Sequence, residues 1–186
     1  IPSVDLREFT SGEPARKSAF VNQIGNAFED IGFVALSGHF LEDSLVEKLY
    51  GEVEKFFALP KEGKMKYEIP GIGGQRGYIS FGKEHAKGRK VGDLKEFWHF
   101  GQYVEGDPEL AAAYPENVLV SELPDFNTTG KEAFKMLEKT AIFVLRALAL
   151  HLELPETYFD DYAKNGNSIL RPIHYPPITE EPKNAV

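Results

Sequence analysis

Ser168-Ile169-Leu170-Arg171-Pro172-Ile173-His174-Tyr175-Pro176-Pro177 alternates as a β-strand does. Successive strand side chains point to opposite faces, so Ile169, Arg171, Ile173 and Tyr175 share one face and His174 stands on the other. Pro172 donates no backbone hydrogen bond, which suits an edge strand. An arginine and a tyrosine beside two isoleucines read in two ways: as a polar pair lining a cleft, or as an edge with its arginine in water and its tyrosine packed. Either way a sheet begins here after a largely helical chain, and the expected fold class is α+β.

Working back from that strand, Asn165-Gly166 is a turn, and Pro155 starts a short helix through Tyr162. From Lys131 to Leu154, Phe134, Leu137, Ala141, Val144, Leu145, Leu148 and Leu152 recur at helical spacing. Ile142, Phe143 and Leu150 widen the stripe almost all round, which predicts a long, largely buried helix. Leu94–Tyr103 (LKEFWHFGQY) predicts a strand with Phe97 and His99 on one face and Trp98 and Phe100 on the other. Between Lys61 and Gly92, glycines at 63, 71, 73, 74, 77, 82, 88 and 92 predict a long irregular surface segment. Ser44-x-x-Glu47 reads as a capping box opening a helix that ends near Leu59-Pro60. Phe33–Leu36 reads as a short buried strand, and Ile1–Leu6 alternates enough for a short strand. Between them Phe20, Ile24, Ala27, Phe28 and Ile31 mark a helix that starts around Ser11–Pro14 and stops at Gly32. No βαβ alternation is visible, which argues against a Rossmann-type fold.

Composition narrows the functions. Twenty-one basic and 29 acidic residues give a net charge of −8, so a nucleic acid would meet net repulsion, and no nucleic-acid partner is expected. The absence of cysteine excludes a disulfide framework, a thiolate nucleophile, an iron–sulfur cluster and a thiolate zinc site. No stretch reaches the roughly 18 apolar residues of a membrane span, and IPSVDLREF lacks the layout of a signal peptide, so a cytoplasmic protein is expected. The chain opens on Ile1 and closes on TEEPKNAV, which completes no element, so it reads as a piece of something longer.

Candidate motifs each have a plain competitor. GIGGQRG (Gly71–Gly77) has the glycines of a phosphate loop but lacks the Lys-Ser/Thr that should follow, so a flexible loop over a cleft is preferred. KEHAKGRK (Lys83–Lys90) could attract an anion, yet charge runs are usually solvated loops. His151-x-Glu153 has the spacing of a two-His-one-carboxylate iron site. Residues two apart on a helix diverge by about 200°, so a charge complementing a helix C-terminus explains His151 better. Glu96-x-x-His99 resembles half of a di-iron motif but stands alone on a predicted strand. These residues offer no metal site, and a hydrolase built on His99 or His174 lacks a positioned nucleophile.

Taken in order, IPSVDL, AFEDIGFVALSGH, KFFALPKEGKMKY, GGQRGY, DLKEFWHFG and RPIHYPP resemble the N-terminal half of the isopenicillin N synthase-like family of non-haem Fe(II), mostly 2-oxoglutarate-dependent, dioxygenases. The resemblance covers Ile1 to about Pro182. It implies a helical N-terminal region packed on a double-stranded β-helix, or jelly roll, that is largely missing from this chain. Residues 1–125 would form the N-terminal region and 126–186 the long helix with the first part of the jelly roll. The family's H-x-D pair and distant histidine do not occur before Val186, so the chain is expected to be a fragment, inactive alone, with Fe(II) and 2-oxoglutarate needing residues beyond it.

The resemblance also implies roles. Tyr175, before Pro176-Pro177, matches the family tyrosine that hydrogen-bonds a carboxylate of 2-oxoglutarate, and a phenol is a suitable donor. Ile173 stands where the family often has asparagine. Arg171, sharing the face of Tyr175, would touch the primary substrate, and Arg76 and Tyr78 would do so from the glycine-rich loop. Phe97 and Trp98 would fill the jelly-roll wall. The implied reaction is hydroxylation, desaturation or ring closure of a small molecule with O2, releasing succinate and CO2. The competing reading is a non-catalytic binding module that keeps this architecture.

Overall fold

A computed structural model of the chain describes residues 1–85, 88, 92–104 and 106–178. The elements are β1 (Ser3–Asp5), α1 (Leu6–Thr10), α2 (Pro14–Asp30), β2 (Ala35–Ser37), α3 (Asp43–Phe57), α4 (Lys61–Met65), β3 (Gly77–Ile79), β4 (Glu96–Gly101), α5 (Pro108–Ala113), α6 (Pro124–His151), α7 (Asp160–Ala163), β5 (Ile169–Leu170) and β6 (Ile173–His174). They form two compact units, one from Ile1–Val46 with Lys135–Gly166, the other from Glu47–Phe134 with the segment that begins at Asn167. Among the described residues no helix is long and apolar enough to cross a membrane.

In the first unit β1 pairs in parallel with β2, Ser3 opposite Ala35 and Asp5 opposite Ser37. Asp5 caps α1, its carboxylate accepting from the backbone N–H of Arg7 at 2.9 Å while pairing with that arginine's guanidinium. α2 turns Phe20, Val21, Ile24 and Ala27 inward, and the first three join a core with Val4, Leu6, Phe9 and Ala147. The expected buried strand at Phe33–Leu36 is corrected: β2 begins at Ala35 and Phe33 is 68% exposed. A pair of only two strands leaves β2 with an open edge and no flanking strand to cover it. Ser44-x-x-Glu47 is not a capping box, because the first helical bonds of α3, from Leu45 and Val46, go to the carbonyl of Glu42. The helix expected from Pro155 shrinks to α7, since the preceding residues close two successive turns, Tyr158 onto Pro155 and Asp160 onto Thr157.

The second unit is built on β4, which pairs antiparallel with β3 on one side and with β5 and β6 on the other. Leu170 stands opposite Phe100 and Ile173 opposite Phe97, so β5 and β6 keep one register. They are the single strand expected over Ser168–Tyr175, interrupted where Pro172 lacks an N–H, although its carbonyl still accepts from Trp98 at 3.0 Å. The irregular segment expected from Lys61 contains α4 and β3.

Alternation then sorts the sheet. Trp98, Phe100 and Leu170 join a core with Phe56, Tyr67, Phe126 and Phe134. Phe56 lies at its centre, stacked on Phe126 at 5.1 Å and meeting the Trp98 ring edge-on at 4.8 Å. α6 starts at Pro124 rather than Lys131, and beyond its midpoint it is mostly half-buried rather than buried all round. Gly130 is what lets Phe100 approach it, since a Cβ there would lie 2.2 Å from the ring. The opposite face of β4 presents Phe97 and His99.

Candidate functional site

On that face a cavity of about 390 Å3 opens beneath the glycine-rich segment. Ile69, Pro70, Ile79 and Phe97 supply its apolar lining; Glu68, Lys83, Glu84, His99 and Arg171 supply the charged and polar groups. Arg171 follows from the register: it continues the ladder opposite His99, and Phe97 is its diagonal neighbour. Its Nε donates to His99 Nε2 at 2.6 Å, its Nη1 lies 3.5 Å from Glu84 Oε1, and its guanidinium sits 4.4 Å from the centre of the Phe97 ring.

The second ring nitrogen of His99, Nδ1, is 2.7 Å from the carbonyl oxygen of Gly74. A carbonyl only accepts and an arginine only donates, so these two partners assign the proton to Nδ1 and leave the Nε2 lone pair facing Arg171. Burial holds the imidazole pKa below its ordinary value; the Gly74 bond opposes the shift and the Arg171 charge adds to it. The ionised groups balance. Glu68 pairs with Lys83, and Glu84 pairs with Lys95 at 2.7 Å as well as facing Arg171. The hydrogen bond from Lys95 is the main reason that the Glu84 carboxyl stays below the usual carboxylate range, against some opposition from burial.

A second polar cluster lies behind the sheet. Lys64 Nζ donates to both oxygens of Glu96 at 2.8 Å and to the Phe57 carbonyl at 3.1 Å, while the Tyr78 hydroxyl and His174 also bond Glu96. Burial alone would raise the Glu96 pKa, but the bonds from Lys64, Tyr78 and His174 outweigh it and hold the carboxyl ionised. Tyr78, pushed upward by burial, borders the cavity yet points its hydroxyl into this cluster, with 2% of its surface exposed.

The sequence-predicted residues therefore separate. Arg171 lines the cavity. Arg76 does not: it is fully buried, donating to the Gln75 carbonyl at 2.8 Å and to Asn167 at 3.3 Å. Its guanidinium fills the space over Gly101, where a Cβ would lie 1.8 Å from Cζ, so the expected substrate contact is corrected to a structural one. Tyr175 is 67% exposed and outside the cavity lining. Phe97, expected only in the wall, lines the cavity, whereas Trp98 is in the core. Glu84 and the pairing of His99 with Arg171 were not anticipated, although the shared face of Phe97 and His99 was readable.

His151 ends α6 with Nε2 3.1 Å from Glu29, and Glu96 and His99 face opposite sides of β4, so neither spacing motif chelates. Among the described residues no group of three or more His, Asp or Glu could hold a metal ion. Of the Lys83–Lys90 run, residues 86, 87, 89 and 90 lie outside the described residues, as do residues 179–186.

Comparison with known proteins extends this reading. The family model described as non-haem dioxygenase in morphine synthesis, N-terminal, matches residues 1–122. The proline hydroxylase buaE of Petromyces alliaceus is 31% identical over 186 aligned positions, covering 96% of this chain and 56% of the relative. A solved structure of a 2OG-Fe(II) oxygenase family protein from Caulobacter crescentus superposes with TM-score 0.84 at 35% identity, over 97% of this chain and 58% of that one. A Neurospora crassa protein solved in complex with alpha-KG and thymine gives TM-score 0.78 at 28% identity, over 95% of this chain and 55% of that one. The chain thus spans a little over half the length of the relatives that it matches, and it belongs to the 2OG-Fe(II) non-haem dioxygenase family.

Proposed function

We propose that the chain is the N-terminal half of an Fe(II)- and 2-oxoglutarate-dependent oxygenase acting on a small organic molecule, and that the cavity under the glycine-rich segment is part of its substrate site. The observation that carries this is one cavity wall in which an oriented arginine lies on an aromatic ring, in a chain of this family. In this reading β5 and β6 begin the double-stranded β-helix core.

The described residues do not fit an iron centre, since no three ligands converge among them, and no step through the metal is assigned to them. Their work is to bind and orient. Arg171 offers guanidinium N–H groups to a substrate oxygen, while Phe97, Ile79, Ile69 and Pro70 supply apolar contact and exclude water. The two carboxylates and two cations of the lining cancel, which favours a substrate of little net charge bearing an oxygen acceptor, such as a cyclic amide or a zwitterionic amino acid. Tyr175 offers its phenol to a carboxylate of 2-oxoglutarate. The chemistry supplied by iron, 2-oxoglutarate and O2 would be oxidation of the substrate with release of succinate and CO2.

The test is succinate formation by the full-length protein with Fe(II), 2-oxoglutarate and O2, over a panel containing thymine, L-proline and their analogues. Substrate-dependent succinate that falls at least about tenfold in Arg171→Met, the loss of a charge-assisted hydrogen bond, is the expected result. Full-length protein that binds neither iron nor 2-oxoglutarate overturns the proposal in favour of a binding module.

A further inference from the structure

The cavity wall contains a histidine whose two nitrogens are both committed, and neither commitment is to a ligand. Nδ1 donates to Gly74, the carbonyl of the segment roofing the cavity, and Nε2 accepts from Arg171. Histidine bonded in this way is a strut: it ties the glycine-rich segment to the arginine of the cavity lining. An arginine side chain has four rotatable bonds before its guanidinium, and left alone it would sample many directions. Here Nε is held by His99, one face lies on Phe97, and Nη1 is turned toward Glu84. These three contacts fix the plane of the fork. Among the described residues Nη2 makes no hydrogen bond or ion pair, and it is the group left to meet a ligand.

We propose that His99 is the positioning residue of this site, acting as a neutral Nδ1–H imidazole that orients Arg171 toward the substrate oxygen. The role of Arg171 toward substrate rests on the function proposed above; the strut itself does not. A protonated His99 would have no lone pair for Arg171, and the Nε2–H tautomer would set two donors against each other and strand the Gly74 carbonyl. His99 is 5% exposed, so neither alternative can be rescued by water.

Two conservative variants separate the bonds. His99→Gln places a carboxamide oxygen near the position of Nε2 and keeps an acceptor for Arg171; His99→Asn places its amide near Nδ1, keeps a donor for Gly74, and leaves Arg171 without an acceptor. The measurement is 15N NMR of the ligand-free full-length protein labelled in histidine and arginine. In the wild type, Nδ1 of His99 should carry the proton, Nε2 should resonate as a bare imidazole nitrogen, and the Arg171 Nε–H should exchange slowly with water. His99→Asn should accelerate that exchange by about tenfold or more, the loss expected for a hydrogen bond to a charged group, and His99→Gln should keep it within about twofold of wild type.

A role in packing alone predicts equal effects of the two variants, and that result overturns the proposal, as does a proton on Nε2. Should His99→Asn fail to fold, Arg171→Met reads the same bond from the other side, and an Nε2 resonance unmoved by it is equally fatal. No substrate is needed, so the strut can fail while succinate formation succeeds, and the reverse.

Discussion

Replacing Glu96 by glutamine removes one charge and almost no volume from the interior of the second unit. Glu96 is 4% exposed and Lys64 8%, with Nζ 2.8 Å from both carboxylate oxygens. At that separation and an effective dielectric constant of about 20, the attraction is roughly 6 kcal/mol. Desolvation of both ions offsets much of it, and removing one partner of a buried pair typically costs about 3–5 kcal/mol. Glutamine keeps an acceptor for Lys64 or Tyr78, which places the expected loss near the lower end, about 3 kcal/mol. For a chain of this length that lowers Tm by roughly 6–12 °C.

The control is the double variant Glu96→Gln with Lys64→Met, which removes both charges of the pair and should recover most of the loss in urea denaturation at pH 7. The pH dependence carries a sign. Because the native carboxyl is held below the ordinary value of 4.5, the unfolded chain takes up the proton first. The stabilisation is therefore full above that pH and disappears as pH falls through the native value, and the acid limb should be shallower in Glu96→Gln. A loss under about 1 kcal/mol, or a double variant no more stable than the single, would refute the reasoning.

Phe56→Ala should cost about 3–5 kcal/mol and, because Trp98 is the only tryptophan and meets the Phe56 ring, should shift the intrinsic fluorescence to the red; an unshifted spectrum would remove Phe56 from the centre of the core. Gly130→Ala should lose about 1–3 kcal/mol by driving a methyl into Phe100, whereas Gly51→Ala, on α3 with open space around it, should gain about 0.5–1 kcal/mol; equal Tm shifts would contradict this. The hydrogen bond from Tyr67 holds the Glu122 carboxyl at about 2, with help from Ser121, so in the native protein its NMR resonance should titrate near that pH, and a midpoint near the ordinary 4.5 would show the bond to be absent in solution.

Legibility of the fold follows how locally each element is determined. α2 and α6 could be read because an amphipathic stripe records which way a helix faces, although only tertiary contacts decide how deeply it is buried. Strand β4 and the interrupted β5–β6 line were legible from alternation, down to the face shared by Arg171 and Ile173. The misreadings are of another kind. Phe33–Leu36 is apolar and bounded by glycine, but burial of a short run depends on what lies over it, and one parallel partner is too little. Ser44-x-x-Glu47 matches a capping box in letters, yet the first helical bonds already close on the carbonyl of Glu42, two residues before Ser44.

The site divides along the same line. That Arg171 would stand on a sheet face with apolar neighbours was readable from period two alone; that its partner would be His99 required the register between two strands far apart in the sequence. Arg76 shows the converse. A basic residue in a glycine-rich loop invites a binding role, yet its guanidinium is consumed by Gln75, Asn167 and the hollow above Gly101. Burying that cation with no carboxylate among its partners in the described residues is costly, and burial does lower its pKa. The cost is tolerable because the planar group both bonds and fills space, which lysine could not do. The two arginines thus take opposite tasks for one reason: Arg76 faces a gap left by a glycine, whereas Arg171 faces a histidine that accepts its hydrogen bond and a ring on which it can lie, leaving one edge of its fork toward the cavity.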